Sequence, residues 1–335
     1  MKVSIRQISE LSGFSPATVS NVLNNKKGVN KDTAELILKI ARESGYISEN
    51  RISSIKLVIF KRSGLVVADT PFFSSLIEGV EKESGLHGFE TTVCNLDKKS
   101  PDFKMRLEQV LGDHNSGILL LATELGEEDV KLFRRAIAPV VVLDSWFDTL
   151  SFDTVLINNT DSVCGAVDYL IRKGHRNIGY LSSAIPIKNF YYRGVGFRRA
   201  HSRHGLRPNA DYVVRLTPTM DGAYHDMLAY LKTSPKLPTA YFADNDIIAF
   251  GAMKALQESG VRIPEDVSIV GFDDMPFCSV TSPTLTTIRV FKQEMGCMAV
   301  RRLLEKMKSK SKVCSKIQIC TEFVERESVR KLPEE

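Results

Sequence analysis

Apolar side chains recur at intervals of three and four residues in the first 46 positions of the chain. This spacing is typical of amphipathic α-helices, and it occurs in three short segments. The side chains predicted to face inward are Ile5, Ile8 and Leu11, then Val19, Val22 and Leu23, and then Ala34, Ile37, Leu38 and Ala41. Helices this short depend mainly on packing against one another, so the segment is predicted to fold as a three-helix unit.

Each of the three predicted helices begins at a residue that can cap its free amide groups. Ser4 is followed three positions later by Gln7, which is the spacing of a capping box. Ser15 precedes Pro16, whose missing N–H costs nothing at the first helical position. Asn30 is the expected cap of the third helix. These caps predict where the three helices start.

The second helix is predicted to present small polar side chains outward. A turn that contains glycine joins it to the first helix, which is the arrangement of a helix-turn-helix. Its outward residues are Ala17, Thr18, Asn21, Asn24 and Asn25. Small side chains allow a helix to enter the major groove of DNA, where hydroxyl and amide groups bond to base edges and phosphates. The alternative is a generic three-helix bundle with a polar surface.

From residue 55 onward, short runs of apolar and β-branched residues alternate with helical segments. The predicted strands lie at 55–60, 117–122, 140–143, 177–181, 239–243 and 268–272, with a last strand near 317–324. The predicted helices lie near 73–87, 102–112, 127–138, 161–173, 192–204, 221–232, 246–259 and 291–308. This alternation indicates βαβ units with parallel sheets, which is an α/β fold. Six or more units exceed one sheet of ordinary size, so two lobes are expected.

Polar side chains follow several of the predicted strands. Asp144 and Trp146 follow one strand, Asn245 follows another, Asp273 follows a third, and Arg193 is predicted to open a helix after a fourth. Ligands of α/β sheets bind at the carboxyl ends of the strands, so these residues are candidates for a shared site. In a competing interpretation, each Asp or Asn caps the helix that follows it. This is the role expected for Asp246.

Composition and charge narrow the function. The 335 residues are 43% hydrophobic and 25% charged, as in globular proteins of two or three domains. No apolar run is long enough to span a membrane and no signal peptide is recognisable, so a cytoplasmic protein is predicted. The first 51 residues hold eight basic and five acidic side chains, which permits contact with phosphates.

Motifs of enzymes and metal sites are missing from the sequence. It contains no Walker A, H-E-x-x-H or G-x-S-x-G motif, so an enzyme is not expected. The six cysteines are scattered and form no C-x-x-C pair, which favours reduced thiols over a disulfide framework or a zinc site. We therefore expect neither a cofactor nor a metal.

Several blocks of the chain follow one another in the order of a known family. They include VSIRQISELSGFSPATVSNVLNN, GHRNIGYL, YRGVGFRRA, ADNDIIAFGAMKAL and VRIPEDVSIVGFDDMPF. Over nearly the whole chain they resemble the LacI/GalR family of bacterial transcription repressors. The resemblance implies a small all-α helix-turn-helix head at 1–46, a short hinge at 47–55, and a two-lobed core at 56–331 like a periplasmic sugar-binding protein. The N-lobe would hold about 56–158 and 291–320, and the C-lobe about 161–288 and 321–331.

The resemblance also assigns residues to operator DNA. The matching positions are Ser4, Ser15, Pro16, Ala17, Thr18, Ser20, Asn21, Asn24, Asn25 and Asn30. Pro16 and Ala17 occupy base-reading positions, whereas Thr18 and Ser20 look like phosphate contacts. Many relatives have Arg where this chain has Asn21. Because Arg reads guanine and Asn prefers adenine, a different or relaxed half-site is expected.

The hinge departs from the family pattern. Relatives usually carry an Ala-Arg-x-Leu helix there, whose Leu enters the minor groove. In this chain the segment GYISENRIS leads from the head to the first strand within a few residues and holds no such Leu. The hinge is therefore either a simple linker, or the protein bends its operator less than its relatives do.

The resemblance places an effector between the lobes of a homodimer that binds a near-palindromic operator. Its matching ligand positions are Phe73, Arg193, Asn245 and Asp273, together with Phe72, Asp144, Trp146 and Phe242. Carboxylates, amides and Arg can bond to vicinal hydroxyls while aromatic rings cover the apolar face of a sugar, so a carbohydrate or sugar phosphate is favoured. A nucleobase effector is the alternative, and a solute-binding protein without regulatory DNA binding is another.

Overall fold

The computed structural model describes residues 4–23, 28–44, 52–67, 71–149, 151–309 and 313–333. The chain divides into two compact units, residues 1–53 and 54–335. The predicted DNA contacts Asn24 and Asn25 and most of the predicted hinge, 47–51, lie outside the described residues. The first unit is helical, and the second holds the β-sheets.

Three helices form the first unit, namely α1 (Ile5–Ser12), α2 (Pro16–Leu23) and α3 (Lys31–Glu43). They enclose a small core of buried side chains, which are Ile8, Val19, Val22, Ile37 and Ala41. The prediction for Leu11 is wrong, because this side chain is 62% exposed. Phe14, in the turn after α1, packs against the core instead.

Hydrogen bonds confirm the three predicted helix caps. Ser4 Oγ accepts the N–H of Gln7 at 3.4 Å, and the Gln7 side chain accepts the N–H of Ser4 at 2.9 Å, which completes the capping box. Ser15 Oγ accepts the N–H of Thr18 at 3.2 Å. Asn30 Oδ1 accepts the N–H two residues farther on at 3.1 Å. The local sequence therefore fixes the start of each helix in this unit.

The second unit contains three β-sheets. Its strands are β1 (Ser54–Lys61), β2 (Glu90–Asp97), β3 (Ser116–Leu121), β4 (Val140–Leu143), β5 (Asp153–Ile157), β6 (Ile178–Ser183), β7 (Val213–Leu216), β8 (Ala240–Ala243), β9 (Ser268–Val270), β10 (Thr287–Arg289), β11 (Lys316–Ile319) and β12 (Glu322–Val324). A six-stranded sheet has the order β11-β5-β4-β3-β1-β2, and a four-stranded sheet has the order β7-β6-β8-β9. Both are parallel throughout, as the α/β pattern predicts. The third sheet is the antiparallel pair β10-β12.

Helices cover the two parallel sheets and complete two lobes. They are α4 (Pro71–Leu86), α5 (Phe103–Leu111), α6 (Glu127–Leu132), α7 (Asn159–Arg172), α8 (Lys188–Arg203), α9 (Met220–Leu231), α10 (Asp246–Glu258) and α11 (Lys292–Lys308). The first lobe is built on the six-stranded sheet and the second on the four-stranded sheet. The chain passes between them at 158, at 290–291 and at 320–321, between strands and helices of different lobes. Three adjacent connections therefore form the base of one cleft.

The prediction misses four strands, and two of them, β2 and β7, are missed because they lie at sheet edges. The other two, β5 and β10, are missed although they are mostly buried. β2 is an edge strand with mostly exposed or half-buried side chains, so its sequence ETTVCNLD shows no apolar run. β7 is a four-residue edge strand. The single strand expected at 317–324 is two strands in different sheets, β11 and β12, separated by the third passage between lobes. Apolar runs identify buried strands, whereas edge strands lack them.

The helices α4 and α11 approach each other closely at a glycine. A Cβ placed on Gly79 would overlap the backbone oxygen of Gln293 in α11. Gly85, six residues later in α4, has no atom within 4 Å of the same position. Only the first glycine is therefore required by packing.

Replacing Gly79 with Ala is expected to lower the unfolding midpoint of the protein, because overpacking at a rigid backbone contact costs about 1–3 kcal/mol. Gly85→Ala is the matched control, and it should leave stability unchanged or raise it by up to about 1 kcal/mol, since Ala favours a helix over Gly. Thermal unfolding followed by circular dichroism measures both. Equal effects of the two substitutions would contradict the close approach.

Candidate functional site

The outward face of α2 is the candidate DNA-reading surface of the first unit. Val19 and Val22 are buried, whereas Ser15, Pro16 and Ala17 at the helix start are exposed. The other predicted contacts on this helix, Thr18, Ser20 and Asn21, are half-buried, and the two remaining described ones, Ser4 and Asn30, are exposed helix caps. The exposed N-terminal turn of α2 is therefore small and free to enter a groove.

A cavity of about 190 Å³ lies between the two lobes of the second unit. Six of the eight predicted effector residues lie on its wall, namely Phe72, Phe73, Asp144, Arg193, Asn245 and Asp273. They come from both lobes, which places the cavity at the carboxyl ends of the strands.

Two predicted effector residues do not line the cavity. Phe242 is fully buried within β8 and packs 5.6 Å from Tyr180 and 6.5 Å from Phe197, between ring centroids. Its ring therefore belongs to the core between β6 and α8 and does not reach the cavity. Trp146 stacks on Tyr192 with ring centroids 4.1 Å apart, so it packs beside the cavity and not on its wall.

A chain of buried side-chain hydrogen bonds crosses from one lobe to the other at the cavity. Thr123 Oγ1 donates to Asp144 Oδ2 at 2.6 Å, both in the first lobe. Asn189 Nδ2, in the second lobe, donates to Asp144 Oδ1 at 2.9 Å. Asn159 Nδ2 donates to Asn189 Oδ1 at 3.0 Å, and Arg193 Nε donates to Asn159 Oδ1 at 2.9 Å. The two lobes are thus joined by a continuous polar network.

Sequence reasoning missed Thr123, Asn159 and Asn189 in this network. Thr123 follows β3, which the sequence predicts, so the strand-end rule would have found it there. Asn159 follows β5, a strand that the sequence analysis did not predict. Asn189 lies in the first turn of α8, which begins at Lys188 and not near 192 as predicted. For the same reason Arg193 lies in the second turn of α8 and does not open the helix.

Arg193 anchors the second-lobe end of the network. Its Nη1 donates to the backbone oxygen of Asp244, and its guanidinium carbon lies 3.6 Å from the ring centroid of Phe272. Its Nη2 lies 3.6 Å from Asp273 Oδ1, which is an ion-pair distance and too long for a hydrogen bond. Within the described ranges, Asp273 Oδ1 is buried and has no hydrogen-bond partner. It is therefore available to accept a hydrogen bond from a ligand.

Backbone strain accompanies the acids at this site. Asp144, Asp273 and Asp274 have φ angles of 64°, 118° and 51°, in the left-handed region that non-glycine residues rarely adopt. The carboxylate of Asp274 is held by Arg289 and Arg326, each at 2.7 Å. Such strain persists where surrounding contacts fix the backbone, and it is concentrated at functional sites.

The structure corrects the expected role of Asp246. Asn245 caps α10, because its Oδ1 accepts the N–H of the third residue on at 3.0 Å, and it also lines the cavity. Asp246 is instead fully buried, where it accepts from the N–H of Met275 at 2.8 Å, the thiol of Cys278 at 3.1 Å and the hydroxyl of Thr287 at 2.6 Å. It holds the segment that carries Asp273.

Burial dominates the electrostatics of the cavity. It raises the pKa of Asp144 to about 6, against the opposing hydrogen bond from Thr123. Burial likewise raises the pKa of Asp244 to about 6. The pKa of Asp273 is raised by burial although Arg193 opposes the shift. The carboxyl groups here are therefore more readily protonated than exposed ones.

Most of the cavity wall is apolar. Of the eighteen lining residues, eleven are apolar, namely Leu65, Val66, Phe72, Phe73, Ile157, Ile187, Phe190, Pro218, Met220, Ile247 and Met275. The rings of Phe72 and Phe73 lie edge to face with centroids 5.1 Å apart. An apolar wall with a few convergent polar groups is typical of a small-molecule site.

Among the described residues, none of the helices is both long and apolar enough to span a membrane. Within the same ranges, no three His, Cys, Asp or Glu side chains are grouped to hold a metal ion. The six cysteines all lie in described ranges, and no disulfide joins them.

Comparison with known proteins identifies both units. Residues 4–49 match the model for bacterial regulatory proteins of the lacI family, and residues 167–329 match a periplasmic binding protein-like domain. A protein of Pasteurella multocida (strain Pm70) named HTH-type transcriptional repressor PurR is 31% identical over 330 residues, which is 98% of each chain. A protein of the same name from Haemophilus influenzae (strain PittEE) is 31% identical over 98% of this chain and 99% of its own.

Solved structures share the fold. The transcriptional regulator CelR in complex with cellobiose superposes with a TM-score of 0.75 at 24% identity, over 98% of this chain and 100% of that chain. The Lac repressor dimer bound to operator and the anti-inducer ONPF gives a TM-score of 0.72 at 23% identity, with the same coverage.

Asp144→Asn is expected to change how stability depends on pH. The folded pKa of about 6 exceeds the usual unfolded value of about 3.9, so the folded state holds the proton more tightly. As pH rises from about 4 to 7, wild-type stability should therefore fall relative to Asp144→Asn, by about 2 kcal/mol in all. Urea unfolding across this range measures the difference.

Asp148→Asn is the matched control, because the Asp148 side chain is 68% exposed. Its stability should follow that of the wild type at every pH. A constant difference between wild type and Asp144→Asn from pH 4 to 7 would contradict the raised pKa.

Proposed function

Because the chain belongs to the lacI family of bacterial regulatory proteins, we propose that it binds operator DNA as a homodimer and responds to a small molecule in the interlobe cavity. The relatives at 31% identity are transcriptional repressors and not enzymes, and the chain is a DNA-binding repressor of this family. The cavity itself supports a response to a small molecule. A polar network joins the two lobes there, and a ligand that binds between the lobes can change their arrangement.

The exposed start of α2 supports DNA recognition. Pro16 and Ala17 are exposed and small, so the helix can approach base edges, and Asn21 can pair with adenine. Thr18 bonds through its hydroxyl to Ser15 at 2.9 Å, and both hydroxyls can reach a phosphate. Two such heads in a dimer read two halves of a near-palindromic operator. The Lac repressor structure in the comparison is a dimer bound to operator.

A nucleobase is the effector that the cavity favours. Aromatic and aliphatic side chains make up most of its wall, which suits the flat face of a base. At the polar end, Arg193 Nη2 can donate to ring nitrogen and carbonyl acceptors, while Asp273 Oδ1 can accept a ring N–H. Arg pairs in this way with O6 and N7 of guanine, so a 6-oxopurine fits the donor and acceptor pattern. The relatives carry the name PurR.

A carbohydrate is the second candidate. Asp144, Asn245 and Asp273 line the cavity from both lobes and can accept hydrogen bonds from several hydroxyls. A sugar phosphate is disfavoured, because Arg193 is the one cation among the described lining residues and already donates to Asn159 and Asp244. Two buried carboxyl groups beside it would repel a phosphate.

Thermal unfolding of the full chain with guanine, hypoxanthine, ribose, cellobiose and glucose 6-phosphate tests the effector class. A ligand at about 100 times its dissociation constant should stabilise the folded protein by about 2.7 kcal/mol, because it binds only that state. We expect a rise in midpoint with the two bases. Asp273→Asn should abolish this rise, whereas Asp221→Asn, at an 87% exposed side chain, should keep it. A rise with a sugar alone would overturn the nucleobase assignment.

Operator selection from a random duplex pool tests the DNA-reading face. Asn21→Ala is expected to change the enriched base at one or two positions of each half-site, since an amide-to-base pair is worth about 1–3 kcal/mol of discrimination. Thr18→Val keeps the side-chain shape and should weaken binding to all duplexes by a similar factor, as loss of a phosphate contact does. Equal weakening on every sequence by Asn21→Ala would exclude a base-reading role.

A further inference from the structure

One buried carboxylate organises the segment that follows β1. Glu124, three residues after β3, is 5% exposed. Its Oε2 accepts the backbone N–H groups of Arg62, Ser63 and Gly64 at 2.7, 2.6 and 3.0 Å. Its Oε1 accepts the N–H groups of residues 66 and 67 at 2.9 and 3.0 Å and the hydroxyl of Ser63 at 2.9 Å. Six hydrogen bonds therefore converge on a single side chain.

These bonds satisfy nearly every amide of the segment 62–67. The one amide of the segment that does not reach Glu124, that of Leu65, donates to Ser63 Oγ at 3.1 Å. Ser63 Oγ donates in turn to Glu124, so the carboxylate controls this bond as well. The segment contains no helix or strand that could hold these amides otherwise. Its shape therefore depends on Glu124, since buried or partly buried amides need a partner.

The segment 62–67 forms part of the cavity wall. Leu65 and Val66 line the cavity, and the next residue, Val67, is buried in the main core. On the other side, Thr123 lines the cavity immediately before Glu124 and donates to Asp144. Glu124 itself is not on the wall. It lies behind the apolar side chains that a ligand would contact.

We infer that Glu124 is a positioning residue for effector binding, which holds the segment 62–67 so that Leu65 and Val66 form one wall of the cavity. The inference rests on the proposed effector function of this cavity. A wall that is already formed lowers the entropy lost when a ligand binds. The carboxylate suits this role, because an ionised acceptor bonds to backbone N–H groups about twice as strongly as a neutral one. The same backbone bonds lower its pKa to about 2 despite burial.

Glu124→Gln tests the inference with the smallest change of shape. An amide group offers one oxygen to five N–H donors and places its own N–H₂ against the others. In hydrogen exchange of the full chain without ligand, the amides of 62–67 should exchange about tenfold faster or more. The affinity for guanine, measured by calorimetry, should fall by about tenfold or more. Operator binding without ligand should stay unchanged, which a general folding defect would not permit.

Glu128→Gln is the matched control. It makes the same chemical change four residues away, at a side chain that is 84% exposed. Both the exchange of residues 62–67 and the affinity for guanine should equal those of the wild type.

Gly64→Ala provides a second test in case Glu124→Gln folds poorly. Gly64 has a φ of 72°, and a Cβ at this position would meet no atom within 4 Å. The substitution therefore strains the backbone of the segment without a clash. Faster exchange at 62–67 and a fall in guanine affinity of about threefold to tenfold are expected.

The outcomes separate this inference from the proposed function. Faster exchange in Glu124→Gln with unchanged guanine affinity would overturn the positioning role, and so would unchanged exchange. If the wild type binds none of the bases or sugars, the proposed effector function fails. In that case the hydrogen-exchange rates of residues 62–67 alone show whether Glu124 holds this wall of the cavity.

Discussion

The arrangement of the two lobes depends on one buried contact, in which the side-chain amide of Asn189 in the second lobe donates to Asp144 in the first. A buried carboxylate is costly unless its lone pairs are satisfied, so Asp144 stabilises the arrangement in which Asn189 and Thr123 both reach it. This arrangement also brings Asp144 and Asp273 to opposite walls of one cavity. The position of the lobes and the shape of the cavity are therefore fixed by the same polar contacts, and a change in one must alter the other.

For the proposed function, this linkage gives a route by which a ligand in the cavity changes the arrangement of the lobes. A ligand can shift the lobes only if it binds one arrangement more tightly than another. The cavity offers such a difference, because Asp273 Oδ1 lacks a hydrogen-bond partner among the described residues while its neighbour Arg193 is held by Asn159. A ligand that bonds to Asp273 and packs against the apolar wall contacts both lobes at once. It makes all of these contacts only at the present separation of the two lobes. The ligand then changes the affinity for DNA by the same factor as DNA changes the affinity for the ligand, because one coupling free energy enters both equilibria.

Local patterns in the sequence predicted the parts of the structure that depend on neighbouring residues. The caps Ser4, Ser15 and Asn30 and the parallel α/β pattern are of this kind, and the structure confirms them. The strand-end rule predicted Arg193 and Asp273, the resemblance to a family added Phe72 and Phe73, and the structure places all four on one cavity. Asn189 and Glu124 were missed, because their partners lie 45 to 62 residues away in the chain. Phe242 was misplaced for a related reason, since a fully buried strand gives no alternation to show which face points at the ligand.

The most direct test is the affinity of the full chain for a selected operator duplex at fixed salt, with and without saturating guanine. Fixed salt is needed because phosphate contacts make the affinity depend strongly on ionic strength. Guanine is expected to change the operator dissociation constant by about fivefold or more, and Asp273→Asn should remove this change while it keeps the operator affinity of the ligand-free protein. An operator affinity that stays the same when guanine is bound in the cavity would contradict the coupling between the two sites.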